Sequence, residues 1–144
     1  MPEGLTDRQW KWILLRHPLR QQLWLYYPAH REGDFEVLRV CDRTGWDAAV
    51  LSWHTCSVCR RGHIAKISIA DHWQRQGLGR RLILRAMKDA QDYHWTTTGQ
   101  SPEAQQFFPA LARETGAAFT QREPVCGHMG SADYRHPVPR FERH

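Results

Sequence analysis

The chain has 144 residues, a formal charge of +5, and 41% hydrophobic against 24% charged residues. That length suits one domain with a full core and is short for two, and the balance is that of a folded chain, not a disordered one. No stretch approaches the length of a membrane span and the N-terminus lacks the apolar run of a signal peptide, so a cytoplasmic protein without a membrane partner is expected.

Thr6-Asp7-Arg8-Gln9 has the form of a capping box, and Trp10, Ile13 and Leu14 follow at helical spacing until His17-Pro18 ends the segment. Periodicity leaves residues 19–27 open between a second helix and a short strand. Residues 35–40, 46–54 and 63–69 read as strands joined by short connections, which predicts an antiparallel meander. A helix is expected over 77–91, because Gly79, Leu82, Ile83, Ala86, Met87 and Ala90 form one apolar stripe. A strand over 93–98 follows, and a helical crossover implies that it runs parallel to the strand before the helix. Ser101-Pro102 marks another helix start, with Pro109 expected to kink or split that helix and Gly116 to end it. Residues 117–121 can form one more strand. The pattern predicts a mixed α/β fold. Residues 1–129 are expected to form a single domain and 130–144 an extended basic tail. Seven tryptophans predict an aromatic core, an aromatic-lined acceptor site being the sharper alternative.

The segment Gln74-Arg75-Gln76-Gly77-Leu78-Gly79-Arg80 lies between a strand and a helix. The first turn of a helix carries N–H groups without intrahelical partners, and its dipole favours an anion there. A phosphate loop of the Walker type would end in Gly-Lys-Ser/Thr, and a dinucleotide fingerprint would place a third glycine at Leu82; neither is present. The segment resembles the R/Q-x-x-G-x-G/A loop of the GNAT N-acetyltransferase superfamily, with Gln74, Gly77 and Gly79 at the motif positions. The order of elements from about Phe35 to Phe119 resembles the same fold; its first strand is either residues 22–27 or missing.

The resemblance implies a GNAT-like twisted mixed sheet in which acetyl-coenzyme A is the co-substrate. Gln74, Arg75, Gln76, Gly77, Leu78, Gly79 and Arg80 would hold the pyrophosphate, and Ile67, Ser68 and Ile69 would pair with pantetheine through their backbone. Ser101 stands where the family often has asparagine and Phe108 where it often has tyrosine, so both are expected beside the cofactor. Phenylalanine has no proton to give to a leaving thiolate; Tyr93 and Ser101 are other donors nearby in sequence. For the base that takes a proton from the amine, Glu36, His54 and His94 are candidates, and a base acting through water is a further possibility.

Cys56-Ser57-Val58-Cys59 is a C-x-x-C turn that can hold zinc if Cys126 and His128 complete a Cys₃His set. The expectation is free thiols and no metal. In the fold the resemblance implies, this connection lies away from the cofactor, and nothing in the sequence brings Cys126 and His128 to it.

The function expected is direct transfer of an acetyl group to a primary amine of unknown identity, by a protein that can be a homodimer. The alternatives are a coenzyme A-binding sensor or interaction module without catalysis, and a basic nucleic-acid-binding protein, for which charge speaks but no motif does.

Overall fold

The structure is a computed structural model, and it describes residues 2–129 and 138–143. Helix α1 (Asp7–Arg16) starts at Thr6, whose hydroxyl accepts from the Gln9 N–H at 3.2 Å while the Gln9 side chain accepts from the Thr6 N–H at 2.8 Å. The capping box read in the sequence is therefore complete. Strands β1 (Leu23–Tyr27), β2 (Glu36–Cys41), β3 (Asp47–Cys56) and β4 (Arg61–Ile69) follow as an antiparallel meander. The segment left open in the sequence is thus a strand. After a single 3₁₀ turn (Asp71–Trp73) come α2 (Leu78–Ala86), β5 (His94–Thr97), α3 (Pro102–Thr115), β6 (Thr120–Gln121) and β7 (Arg140–Glu142).

The strands form one seven-stranded sheet in the order β6-β5-β4-β3-β2-β1-β7. β4–β5 and β5–β6 are parallel, as helical crossovers require. Alternation along β1 sends Trp24 to one face and Leu23, Leu25 and Tyr27 to the other. The first face carries the main core, built from Trp24, Leu38, Leu51, Trp53, Ile64 and Trp95 under α2 and α3. The second face packs against Trp10 and Ile13 of α1. Trp24, Trp53 and Trp95 are fully buried, whereas Trp12 and Trp46 are exposed. The aromatic core is real and takes only some of the tryptophans.

Three expectations about elements need correction. Helix α2 is shorter than its apolar stripe: Met87 caps it, and Asp89 in the left-handed region turns the chain. Met87 and Ala90 still reach the core from this turn, so the stripe continues where the helix does not. Helix α3 runs through Pro109 unbroken. Pro109 lies on the exposed side, where water can satisfy the carbonyl it leaves unpaired. The C-terminal segment is not wholly a tail, since Arg140–Glu142 pairs with β1 as an edge strand. Residues 130–137 of that expected tail lie outside the described residues.

Candidate cofactor and active site

The site begins where β4 and β5 part. Their register runs from Arg61↔His94 to Ile64↔Thr97 and stops. At the same place the β3–β4 register shifts: Ser52 pairs with Lys66 and Trp53 with Ile64, so Ala65 is the extra residue of a bulge. A bulge sharpens twist and bends its strand away from a neighbour. Beyond it Thr98 ties the strands a last time, its N–H donating to the Ile64 carbonyl at 3.2 Å and its hydroxyl to the Ala65 carbonyl at 3.1 Å. Gln100 then turns the chain toward β6, donating to the Thr97 hydroxyl and to the Phe119 carbonyl, both at 3.0 Å. β4 itself continues to Ile69, paired with β3 on its other side. Among the described residues no strand pairs with Ile67, Ser68 and Ile69 on the side facing β5.

That open edge leads to the glycine loop. Gly77 is the N-cap of α2, at φ +75°, a conformation that favours glycine, and a Cβ there would meet nothing within 4 Å. The N–H groups of Leu78, Gly79 and Arg80 precede the first helical bond, from the Arg81 N–H to the Gly77 carbonyl at 3.1 Å. They and the helix dipole make a cradle for an anion.

The two motif glycines differ in role. Gly79 is buried, and a Cβ on it would lie 3.1 Å from Ile69 Cδ1 and 3.4 Å from the Phe107 ring. Its missing side chain lets α2 close onto β4 and α3. Gln74 braces the loop, its amide donating to the Ile69 carbonyl at 3.0 Å, and Gln76 donates to the His72 carbonyl at 3.0 Å. Arg75 is exposed at φ +62°. Arg80 pairs with Glu114 of α3 at 2.8 Å, an exposed pair that joins the two helices.

The other candidates scatter. Ser101 caps α3, its hydroxyl accepting from the Ala104 N–H at 3.2 Å. Phe108 is buried between Phe107 and Phe119, with ring centroids 5.0 and 5.2 Å away. It is Phe107, one residue earlier, that faces Gly79 at the start of α2.

Glu36 lies on the α2 side of the sheet and accepts a short hydrogen bond from the Tyr26 hydroxyl. Burial pushes its carboxyl above the ordinary range, against the pull of Tyr26 and Arg85. His94 and Tyr93 sit at the end of β5 away from the parting of the strands. His94 pairs with Glu123 at 2.8 Å, and Arg60 covers Tyr93 at 5.3 Å.

His54 is buried, with Nδ1 3.3 Å from the Gly33 carbonyl and Nε2 without a partner. Burial and then the neighbouring His63 push it down to about 4. His63, which the sequence reading passed over, is on β4 itself, two residues before the bulge. Its Nδ1 lies 2.7 Å from the Thr96 hydroxyl, and burial lowers its pKa. Strand alternation does not single this position out, because the bulge beside it arises only from the pairing of β3 and β4.

A shallow pocket of about 250 Å³ also touches β4, on the side of the sheet that carries α1. Lys66 and Ser68 line it, with Arg39 and Asp47, which are bonded to each other at 2.6 Å.

At the opposite end of β4 the structure brings together all four residues of the Cys₃His set, against the expectation that Cys126 and His128 stay apart from the C-x-x-C turn. One donor atom from each of Cys56, Cys59, Cys126 and His128 lies within 4.8 Å of the others.

The acetyltransferase (GNAT) domain family matches residues 49–111, which span β3, β4, the glycine loop, α2, β5 and most of α3. The match covers the part of the chain that carries the parted strands and the glycine loop. Similar solved structures include a candidate acetyltransferase from Deinococcus radiodurans R1, 14% identical over 65% of this chain and 62% of that one, with a TM-score of 0.48. They also include an aminoglycoside acetyltransferase from an uncultured soil metagenomic sample, in complex with sisomicin, 17% identical over 72% of this chain and 69% of that one, with a TM-score of 0.43. Spermidine N-acetyltransferase from Vibrio cholerae, a dodecamer, is 17% identical over 77% of this chain and 59% of its own, with a TM-score of 0.44. The chain thus spans less than two thirds of the first and third of these. No curated protein matches the sequence.

Proposed function

We propose that the chain is an acetyl-coenzyme A-dependent N-acyltransferase acting on a primary amine. The observation that carries this reading is the continuous path from the parted edge of β4, at the Ala65 bulge, to the N-terminus of α2 at Gly77. The backbone of Ile67, Ser68 and Ile69 would hold the pantetheine arm. The N–H groups of Leu78, Gly79 and Arg80 would hold the pyrophosphate, with Gln74 and Gln76 bracing the loop and Arg75 adding charge. Bound there, acetyl-coenzyme A supplies an activated acetyl thioester. The acceptor amine must be neutral to attack it, and His63 is the base we assign: burial keeps its imidazole neutral and Thr96 engages Nδ1, which leaves Nε2 to take the proton. By its resemblance to the GNAT family we take the protein to be cytoplasmic and a homodimer.

The test is calorimetric titration with acetyl-coenzyme A of the wild type and of Gly77→Asn and Gly77→Asp. Both side chains tolerate the left-handed region and have the same shape, so they differ by one negative charge. Asparagine is expected to retain binding and aspartate to weaken it at least about tenfold, a charge effect of roughly 1.4 kcal/mol. Equal affinities would remove the pyrophosphate from this loop. Binding without release of free coenzyme A thiol when a broad panel of amines is supplied would make the chain a coenzyme A-binding module instead of an enzyme.

A further inference from the structure

We propose that Cys56, Cys59, Cys126 and His128 form a structural zinc site, a Cys₃His centre independent of the acetyl-transfer reading. The four donor atoms all lie within 4.8 Å of one another, and Cys59 Sγ is 3.3 Å from His128 Nδ1. Zn–S bonds of about 2.3 Å and Zn–N bonds of about 2.0–2.1 Å in a tetrahedron place ligand atoms roughly 3.5–3.8 Å apart, so small side-chain shifts suffice. Three thiols and an imidazole are a donor set for zinc, and four protein ligands leave no open position, which marks a structural centre.

Each half of the site is already folded to present its ligands. Cys56 ends β3, and the turn to β4 lets the Cys59 N–H point at Cys56 Sγ at 3.4 Å, a contact that stabilises a thiolate. In the other half the Met129 N–H donates to the Cys126 carbonyl at 3.1 Å, closing a turn that carries Cys126 and His128.

Contacts outside the cluster hold the halves together. Arg61 at the start of β4 donates to the Pro124 carbonyl and to Glu123, both at 3.2 Å. Glu32 accepts from the Ser57 N–H at 2.7 Å. Gly33, at φ +86°, lies so close to His128 that a Cβ there would be 2.1 Å from its carbonyl oxygen. Cys56 is buried while Cys59 and His128 are exposed, so an ion can enter from solvent.

A disulfide would use two of the thiols and leave a thiol and the imidazole unexplained. The centre also lies far from the anion cradle. It lies at the Arg61 end of the nine-residue β4, and at about 3.3 Å per residue the far end of that strand, which leads into the glycine loop, is roughly 26 Å away. Its effect would be to clamp the segment after β6 onto the β3–β4 turn, closing a long stretch of chain.

The test uses the full chain, reduced and then loaded with zinc or cobalt. About one zinc per chain is expected by elemental analysis, and Co²⁺ should give the visible absorption of a tetrahedral thiolate site. Cys59→Ser and His128→Ala should lose bound zinc, whereas Cys41→Ser, a buried thiol outside the cluster, should keep it. Zinc should raise the thermal midpoint of the wild type and not of His128→Ala. The cobalt spectrum of the wild type needs no variant, so misfolding of a variant cannot decide the matter. Reduced wild type that retains no zinc, or a cobalt spectrum without tetrahedral and thiolate features, would overturn the proposal.

Discussion

At the scale of single residues, His63 separates a positioned base from a merely buried histidine. Its ordinary pKa is 6.5, and burial lowers it. The neutral form that accepts a proton therefore persists below pH 6.5. If His63 is the base, kcat/KM should be flat above pH 6.5 and fall on an acid limb below it. His63→Gln keeps a polar side chain against Thr96 but cannot take a proton. It should lower kcat by about a hundredfold or more and abolish the acid limb, with little change in KM for acetyl-coenzyme A. Unchanged kcat together with a retained acid limb would remove His63 from the mechanism and leave the proton to water. His54 suits the role less. It lies one strand further from the parting, and its Nε2 is sealed from solvent.

At the scale of elements, the crossing of β4 and β5 depends on Gly62. An added Cβ would lie 2.6 Å from ring atoms of Trp95, which is fully buried and whose indole N–H is anchored to the Ala90 carbonyl at 2.8 Å. The ring cannot slide aside without losing that bond. Gly62→Ala should thus destabilise the protein by about 1–3 kcal/mol in urea titration, despite alanine being no worse in a strand. An unchanged midpoint would mean that Trp95 has room the packing denies it.

The same pair shows what the sequence can and cannot reveal. Local signals are legible: the Thr6 box, the alternation of β2 to β4, the Ser101 cap and the glycine loop all stand where the residues put them. What depends on pairing is not. The Ala65 bulge, the demand for glycine at 62, the placing of Phe107 rather than Phe108 beside Gly79, and the approach of Cys126 to Cys56 arise from register and docking. No short-range periodicity encodes them. The length of α2 failed for a related reason: Met87 and Ala90 keep the helical spacing of apolar residues while the backbone has already left the helix.

At the scale of the whole molecule, the sheet is closed at the β1 edge by residues far away in sequence. β7 pairs Trp24↔Glu142, Leu25↔Phe141 and Tyr26↔Arg140. Glu142 accepts from Arg85 of α2 with both side chains about four-fifths buried, at 18% and 19% exposure. Phe141 stacks on His17 at 4.2 Å, beside the α1 cluster. One short strand therefore touches both faces of the sheet and the end of the helix that starts at the anion cradle. A chain ending at residue 137 would leave β1 as an open edge with buried residues on either face, and Arg85 without its carboxylate. Removing one partner from a fully buried ion pair costs about 3–5 kcal/mol; this pair is only mostly buried, so a loss of about 2 kcal/mol is expected, or roughly 4–8 °C in the thermal midpoint. The bare edge should also promote self-association that grows with concentration in size-exclusion chromatography. Glu142→Gln in the full chain separates the two effects, because it weakens the ion pair and keeps the strand: it should lower the midpoint without association. If the shortened chain melts like the full one and stays monodisperse, β7 contributes nothing to the fold, and the closure of the sheet rests on β1 and α1 alone.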